Sequence, residues 1–391
     1  MLQKVILVVL LHFSTSDAST YKKINKGYVS VPTGIPSSTK TIYLSENLLT
    51  NIGGDDFSGL TLLIFLDLQM NRITSVSANA FDDTKLETLY LSHNPITTIP
   101  TWTPLISILK YLYMQNCSIT SATWNLNIQY TKLKELDLAF NNLNTVPDIS
   151  HMSSLVKLYL SYCQISSSSA LVNPRIEDLD LGFNNLQVAP DISQICLLLE
   201  NLVLDDNKLT SLPNNYFEGC NNLKSIRMRE NFLSSLQPLL AIGTSLKSLN
   251  IKKNRFSGPV SSTFFSGWPD LTRANMEFCN FTSFDSENLK YTPNLVTLDL
   301  RGNKLTHITD PHQWCQGDAC TQMELRLEEN QLKCDFNFCW LKGTITFPYT
   351  IDGCEGNDIA NVDINNLNCD GKFSLELPTD IAVTVKKCGL S

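Results

Sequence analysis

Large aliphatic residues recur at fixed intervals along most of this chain, in the order L-x-x-L-x-L-x-x-N/C-x-L. The segment from Leu133 to Leu143 shows the whole order, with Asn141 at the polar position. The pattern returns about every 23 residues between residues 39 and 332. We call the Asn or Cys of each segment its anchor. The anchors are Asn47, Asn71, Asn94, Cys117, Asn141, Cys163, Asn184, Asn207, Asn231, Asn254, Cys279, Asn303 and Asn330.

A repeat of this length predicts a stack of similar units, each with one short strand and a returning segment. No unit can bury its apolar side chains alone, so neighbouring units must stack. The predicted fold class is an α/β solenoid. It is a leucine-rich-repeat horseshoe of about 13 repeats, with a curved parallel β-sheet on its concave face. This architecture offers a long open surface and favours binding.

The same pattern assigns individual side chains. Leu136 and Leu138 are predicted to point into the core, and alternation along the strand sends Asp137 to the concave face. An anchor Asn can both donate to and accept from the backbone of the turn that holds it. Cysteines in that slot are therefore expected to be buried, reduced and structural; they are Cys117, Cys163 and Cys279.

The chain begins Met1-Leu2-Gln3-Lys4, followed by an apolar run from Val5 to Leu11 and a small-x-small exit at Ser16–Ala18. This order is typical of a secretory signal peptide at residues 1–18. The run is too short for a membrane anchor, and we expect a secreted, extracellular protein without one. The 12 cysteines fit an oxidising compartment, and the net charge of −8 argues against nucleic acid as a partner.

Both ends of the repeat region resemble the caps of animal extracellular leucine-rich-repeat proteins. Val31-Pro32-Thr33-Gly34-Ile35-Pro36 is similar to the end of their N-terminal cap, although residues 19–38 contain no cysteine. Cys334 followed by Cys339-Trp340-Leu341-Lys342 resembles the start of their C-terminal cap, here residues 333–391. The chain is similar in these features to variable lymphocyte receptors, Toll-type ectodomains and insect leucine-rich immune proteins. The resemblance implies ligand binding on the concave face.

Several disulfides are expected. Cys196 and Cys220 hold equivalent positions in neighbouring repeats, about 4.8 Å apart, which is within disulfide range. Cys315 and Cys320 could close the loop of the longest repeat interval. The resemblance implies the cap pairs Cys334–Cys354 and Cys339–Cys369.

Cys388 is then left over, near the end of the chain. An unpaired cysteine on a secreted chain suggests a disulfide-linked dimer. The alternative is a rearranged cap in which Cys388 is paired and another cysteine is free.

No catalytic chemistry follows from the motifs. His307, His312, Cys315 and Cys320 have spacings that zinc sites use, but a disulfide in an oxidising compartment explains the cysteines better. The sequence has no G-x-S-x-G, HExxH or phosphate-binding glycine loop. We expect no enzyme activity, no metal and no cofactor. Asn116 and Asn280 begin acceptor sequons for N-linked glycan.

The concave positions carry an unusual number of aromatic residues, with acidic residues between them and basic residues after them. The residues predicted to bind ligand are Tyr90, Tyr111, Tyr113, Phe140, Tyr159, Tyr162, Phe183, Asp137, Asp180, Asp205, Arg227, Arg229, Lys252 and Lys253. The four basic residues are expected to be exposed, so their reversal to Glu should leave folding intact. The alternative is that the rings pack against each other and the charges pair across repeats.

Two functions remain open. The first is recognition of a protein or microbial ligand in innate immunity or extracellular signalling, favoured because exposed rings are enriched at binding hot spots. The second is a structural component of the extracellular matrix or of cell adhesion.

Overall fold

The computed structural model describes residues 19–97, 101–120, 130–167, 171–173, 175–306, 322–327, 329–331, 333–334, 375–376 and 382–386. The chain divides into two compact units. The first unit contains Met1–Asn142 with His151–Leu155, and the second contains Leu143–Ser150 with Val156–Ser391.

The first unit is a ladder of short parallel strands, one per repeat. Its strands are β1 (Thr20–Lys22), β2 (Thr41–Tyr43), β3 (Asn51–Ile52), β4 (Phe65–Asp67), β5 (Ser75–Val76), β6 (Thr88–Tyr90), β7 (Tyr111–Tyr113) and β8 (Glu135–Asp137). Strands β1, β2, β4, β6, β7 and β8 pair in parallel in that order, and β3 pairs with β5 in the returning segments. A 3-10 helix, η1 (Thr103–Leu105), lies in one of these returns.

The second unit continues the same plan. Its strands are β9 (Lys157–Tyr159), β10 (Asp178–Asp180), β11 (Asn201–Val203), β12 (Ser225–Arg227), β13 (Ser248–Asn250), β14 (Gly258–Val260), β15 (Arg273–Asn275), β16 (Phe281–Phe284), β17 (Thr297–Asp299), β18 (Gln322–Arg326), β19 (Lys333–Cys334), β20 (Leu375–Glu376) and β21 (Ala382–Lys386). Its 3-10 helices are η2 (Gln237–Ala241) and η3 (Ser286–Tyr291).

In the second unit, strands β9 to β13, β15, β17 and β18 pair in parallel, and β21 closes the sheet antiparallel to β18. In the returning segments β14 pairs with β16 in parallel, and β19 pairs antiparallel with β20. The predicted solenoid with a parallel sheet is confirmed.

The alternation of buried and exposed positions explains each strand. In β7 the central Leu112 is 1% exposed, whereas its neighbours Tyr111 and Tyr113 are half-buried. The middle residue therefore enters the core, and the first and third residues lie on the opposite side of the sheet. On the other side of the core, the rings of Phe57 and Phe81 stack in the returning segments, with centroids 6.2 Å apart.

The anchor asparagines connect each repeat to the one before it. Asn94 donates to the carbonyl oxygens of Leu91 at 2.9 Å and of Leu68, in the preceding repeat, at 3.0 Å. Its Oδ1 accepts the Ile73 N–H at 2.9 Å, also from the preceding repeat. These bonds satisfy backbone groups that the turn would otherwise bury unpaired.

The anchor cysteines are buried and unoxidised, as predicted. The thiols of Cys117 and Cys279 donate to the carbonyl oxygens of Leu91 and Ile251, each at 3.2 Å. Burial raises the pKa of the Cys117 thiol to about 11 and that of Cys279 to about 12. Both therefore stay protonated and unreactive at neutral pH.

Cys196 and Cys220 form a disulfide between adjacent repeats, with Cα atoms 4.3 Å apart. That prediction is confirmed. The other predicted pairs stay predictions because only the backbone of Cys334 is described. The cysteines that lie outside the described residues are Cys315, Cys320, Cys339, Cys354, Cys369 and Cys388.

The N-terminal segment adds a strand that the sequence pattern did not predict. Strand β1 pairs in parallel with β2, so the ladder begins one strand before the first repeat. The backbone N–H groups of Lys26 and Tyr28 donate to Oδ1 of Asn47 at 2.9 and 3.2 Å. The first anchor thus holds this segment as later anchors hold the preceding repeat. Residues 1–18, the predicted signal peptide, lie outside the described residues.

Candidate ligand-binding face

The side of the sheet away from the core carries all the residues predicted to bind ligand. We call it the exposed sheet face and define it by the first and third residues of each sheet strand, together with the two residues directly before each anchor.

In the first unit, four rings form a continuous row along the exposed sheet face. The ring centroids of Tyr43 and Phe65 are 5.2 Å apart, those of Phe65 and Tyr90 are 5.4 Å apart, and those of Tyr90 and Tyr113 are 4.3 Å apart. We call these four residues the aromatic row. Each of the four residues is half-buried and so keeps part of its surface in solvent. The distance between neighbouring rings is close to the distance between paired strands, because the parallel register places these residues side by side.

Burial in this row raises the pKa of the phenols of Tyr43, Tyr90 and Tyr113. All three phenols are therefore protonated at neutral pH and can donate hydrogen bonds. The row offers flat apolar surface with polar hydroxyls, the combination that makes tyrosine common at binding sites.

Two further aromatics of the first unit lie beside the row. Tyr111 is the first residue of β7 and is half-buried. Phe140 is 53% exposed and has a φ of 60°, in the turn just before its anchor. A large side chain at positive φ is uncommon, because the backbone there favours small residues.

Asp137 has a different role from the one its strand position suggests. Its side chain is only 7% exposed. Its Oδ1 accepts the Ala139 N–H at 3.0 Å, and its Oδ2 accepts a hydrogen bond from the side chain of Gln115. The carboxylate therefore braces the turn beneath the exposed sheet face, and sequence reasoning missed this.

In the second unit the aromatic residues are fewer. Tyr159 ends β9 and is half-buried. Tyr162, 43% exposed, stacks on Phe183 with ring centroids 4.3 Å apart. The guanidinium of Arg229 lies 5.5 Å from the centroid of the Phe183 ring, a cation–π distance. Asp180 accepts the Gly182 N–H at 2.8 Å, and burial raises its pKa.

Ion pairs replace the rings farther along the second unit. Asp205 is fully buried, and its Oδ2 lies 2.6 Å from Nη2 of Arg227 and 3.1 Å from Nε of Arg229. Its Oδ1 accepts the backbone N–H of Arg229 at 3.0 Å. This carboxylate is thus enclosed by the two arginines that flank it in the next repeat.

Glu277 holds the next group of cations. It is 3% exposed and pairs with Lys252 at 2.5 Å and Arg301 at 2.7 Å. Arg301 also pairs with Asp299 at 2.6 Å. We call the linked charges of this region the ionic row; its members are Asp205, Arg227, Arg229, Lys252, Glu277, Asp299, Arg301 and Arg326.

The expected exposure of the four basic residues is contradicted for three of them, so we no longer expect their reversal to Glu to leave folding intact. The side chains of Arg227, Arg229 and Lys252 are half-buried. Each is paired to a carboxylate that solvent does not reach. Reversal would put like charges against Asp205 and Glu277. Only Lys253, which is 49% exposed and pairs with Glu230 at 3.2 Å, fits the expectation.

Sequence reasoning also missed Glu277, Asp299, Arg301 and Arg326. The signal was available, because these residues occupy the same two positions before their anchors as Arg227 and Arg229 do. Equivalent positions in adjacent repeats become lateral neighbours in the sheet. Comparing such positions pairwise would have suggested the ion pairs.

The two sequon asparagines lie in turns. Asn116 is exposed at a φ of 51°, and its Nδ2 lies 3.2 Å from a ring nitrogen of His93. Asn280 is partly exposed at a φ of 60°. Glycosylation of both stays a prediction.

The zinc-like spacing from His307 to Cys320 falls outside the described residues. Within the ranges given above, no group of His, Cys, Asp or Glu side chains is placed to hold a metal ion. In the same ranges, no helix is long and apolar enough to cross a membrane.

Comparison with known proteins agrees with this geometry. A leucine-rich-repeat family model matches residues 37–96, 66–119 and 198–256, and a second leucine-rich-repeat model matches residues 130–146. These matches identify leucine-rich repeats at those residues.

Three similar proteins each match part of the chain. Fibromodulin of Bos taurus is 27% identical over 256 residues, which is 59% of this chain and 61% of the relative. Lumican of Homo sapiens is 37% identical over 139 residues, 34% of this chain and 40% of the relative. Podocan of Mus musculus is 29% identical over 218 residues, 54% of this chain and 31% of the relative. The chain thus spans less than two thirds of the length of each.

Solved structures share the fold. The structure of the Drosophila Toll–Spatzle complex matches with a TM-score of 0.62 and 22% identity, over 78% of this chain and 43% of that chain. The TLR13–ssRNA13 complex matches with a TM-score of 0.57 and 23% identity, over 78% of this chain and 49% of that chain. At these identities the likeness shows the leucine-rich-repeat fold alone.

Proposed function

We propose that this leucine-rich-repeat protein is a secreted, non-enzymatic binding protein that recognises a protein or microbial ligand through its exposed sheet face. Its role is in innate immunity or extracellular signalling. The organisation proposed with it is a signal peptide at 1–18, an N-terminal cap at 19–38, repeats at 39–332 and a cysteine-rich cap at 333–391. The Cys388-linked dimer and the absence of a nucleic-acid partner are part of the same proposal.

The aromatic row is the observation that supports the proposal best. Its rings are already packed against each other, so a ligand that lands on them does not have to order them first. Each ring still leaves apolar surface in water. A ligand that covers this surface gains a binding free energy of about 25 cal/mol per Å² buried. A protein or a glycan of a microbial surface can both use such a platform.

The experiment compares ligand capture by variants of the full chain. The test variant carries Tyr90→Ala and Tyr113→Ala, and the control carries Val188→Ala and Leu197→Ala, two exposed apolar residues that lie outside the sheet strands. Each protein is immobilised and incubated with extracellular fluid of the source organism and with a panel of microbial surfaces. Bound species are identified by mass spectrometry.

A partner captured by the wild type and the control but lost from the Tyr90/Tyr113 variant supports recognition on this face. Circular dichroism must show that all three proteins are folded. Equal capture by all three would place binding elsewhere and contradict the proposal.

A structural role in the extracellular matrix or in adhesion is the alternative. The similarity to fibromodulin, lumican and podocan favours it. It predicts that matrix proteins are captured equally by all three variants, with no species from the microbial panel.

A further inference from the structure

A shallow depression interrupts the exposed sheet face of the second unit, on strands β13, β15, β17 and β18. Its volume is about 230 Å³. The parallel register brings Ser248, Arg273 and Thr297 side by side on its floor, with Asn250 and Asn275 in the adjacent row. These residues lie on the exposed sheet face, but none is among the individual residues predicted from the sequence to bind ligand.

Arg273 differs from the other arginines of this region. Arg301 and Arg326 each form ion pairs, with Glu277 and Asp299 in one case and with Asp299 and Glu324 in the other. The side chain of Arg273 is exposed and has no ion-pair or hydrogen-bond partner among the residues that the structure describes. Within the described residues it is an unneutralised guanidinium beside arginines that are paired with carboxylates.

Small polar groups surround this guanidinium. The hydroxyls of Ser248 and Thr297 flank it in the register and make no hydrogen bond within the described part of the chain. Asn250 uses its Oδ1 to accept the Lys252 N–H at 3.3 Å, which leaves its Nδ2 as a further donor. The depression therefore presents unpaired donors, and the one carboxylate among the described residues that line it, Asp299, is already paired with Arg301 and Arg326.

We propose that this depression binds one carboxylate group, supplied by an acidic segment of a protein ligand. The planar guanidinium of arginine matches a carboxylate with two parallel hydrogen bonds, and the neighbouring hydroxyls can donate to the same oxygens. The proposal rests on the proposed function of the face and adds to it the chemistry of one contact.

The size and the charge balance favour a single side chain over other anions. The volume falls below the roughly 300–1,000 Å³ typical of pockets for whole small molecules. A sulfated glycan brings many negative charges and needs a run of unpaired cations, whereas the carboxylates of Glu277, Asp299 and Glu324 occupy the neighbouring arginines and lysine. One free guanidinium fits one carboxylate.

The test selects 12-residue peptides from a random displayed library on the immobilised full chain, with depletion on the Arg273→Ala variant. The control variant is Arg255→Ala, which removes an equally exposed arginine whose side chain stacks on Phe232 away from the sheet strands. Enriched peptides are synthesised with each Asp or Glu exchanged for Asn or Gln, and affinities are measured by calorimetry for all three proteins.

We expect the enriched peptides to share an Asp or Glu and to lose about tenfold or more in affinity on Arg273→Ala, with no loss on Arg255→Ala. Amide exchange of that one acid should cause no further loss on Arg273→Ala, because the two changes remove the same contact. The Tyr90/Tyr113 variant separates the two proposals, since the carboxylate contact must survive it even if the aromatic row binds nothing.

Three results would overturn the proposal. They are the failure to enrich any peptide, enrichment of peptides that lack acids, and additive effects of Arg273→Ala and the amide exchange. Binding of heparin that Arg273→Ala removes, without any acidic peptide, would assign the depression to sulfated glycans instead.

Discussion

The two units present the same sheet positions to solvent and stabilise them by different physics. In the first unit the face is held by ring stacking, from Tyr43 to Tyr113. In the second unit it is held by ion pairs around Asp205 and Glu277. The backbone ladder and the anchors do not change between them.

This contrast shows how a repeat fold separates its frame from its surface. The core leucines and anchor asparagines fix the backbone in both units, so the outward positions are free to vary. Rings stacked at strand spacing gain from burial and shape. Buried carboxylates enclosed by arginines are stabilised by charge attraction. Removing one arginine leaves a buried, uncompensated charge, which lowers the stability of the fold.

The largest expected effect is on the ionic row. Reversing Arg227 and Arg229 to Glu leaves the fully buried Asp205 facing two like charges. We expect the free energy of unfolding to fall by about 3 kcal/mol or more. Chemical denaturation measures it, and Arg273→Glu, which breaks no pair, should change it by less than about 0.5 kcal/mol. Similar values for the two proteins would mean that Asp205 does not depend on the arginines.

The aromatic row should be next. Tyr90 contacts the rings of Phe65 and Tyr113, so Tyr90→Ala removes two ring contacts at once. We expect a loss of about 1–3 kcal/mol that does not change with salt, because stacking is not screened. Tyr90→Phe, which keeps the ring, is the matched control in denaturation at low and high ionic strength. A loss that grows at low salt would show that charge, not stacking, stabilises this row.

Acid should act with opposite sign on one carboxylate of each unit, Asp299 in the second and Asp67 in the first. Burial alone would raise the pKa of Asp299, but hydrogen bonds from Arg301 outweigh it and hold the pKa below its ordinary value. The stability this carboxylate contributes is complete above its unfolded pKa of about 3.9 and is lost as the pH falls through the lower folded value. Burial raises the pKa of Asp67 in the first unit, so its protonation on acidification favours the folded state.

Denaturation of wild type, Asp299→Asn and Asp67→Asn between about pH 6 and pH 3 tests this difference. Asp299→Asn should lose stability at pH 6 and show a weaker acid dependence than the wild type. Asp67→Asn should steepen the acid dependence, because a stabilising protonation is gone. The same slope in all three proteins would contradict both assignments.

The smallest effect belongs to Lys253. It is 49% exposed, and its partner Glu230 is 33% exposed. Lys253→Ala should cost no more than about 0.5 kcal/mol, and less as salt is added. A cost as large as that of the Arg227/Arg229 reversal would place Lys253 in the ionic row.

The sequence predicts the frame far better than the surface. The repeat period fixes the strands, the anchors, the buried thiols of Cys117 and Cys279, and the Cys196–Cys220 disulfide, because all depend on equivalent positions in successive repeats. Strand β1 was missed because residues 20–22 carry no repeat pattern and acquire strand geometry only by pairing with β2.

The burial of the carboxylates was missed for a different reason. Alternation predicts which side of the sheet a residue lies on, but not whether its side chain bends back to the backbone. Asp67, Asp137 and Asp180 each accept the N–H two residues ahead, at 3.1, 3.0 and 2.8 Å. Short acidic side chains commonly bond to nearby backbone groups in this way, which buries Asp67 and Asp137 and leaves Asp180 half-buried.

Where cysteine replaces asparagine, the connection between repeats loses one of its parts. Asn94 accepts the Ile73 N–H of the preceding repeat, but a thiol at Cys117 does not replace that acceptor, and the Ile96 N–H bonds locally to the carbonyl oxygen of Asn94 instead. In a stack held by nearest neighbours, such a position divides cooperative opening into shorter stretches. Amide protons should therefore exchange with solvent sooner beside Cys117, Cys163 and Cys279 than beside the asparagine anchors. Three single residues would then determine where the stack opens locally.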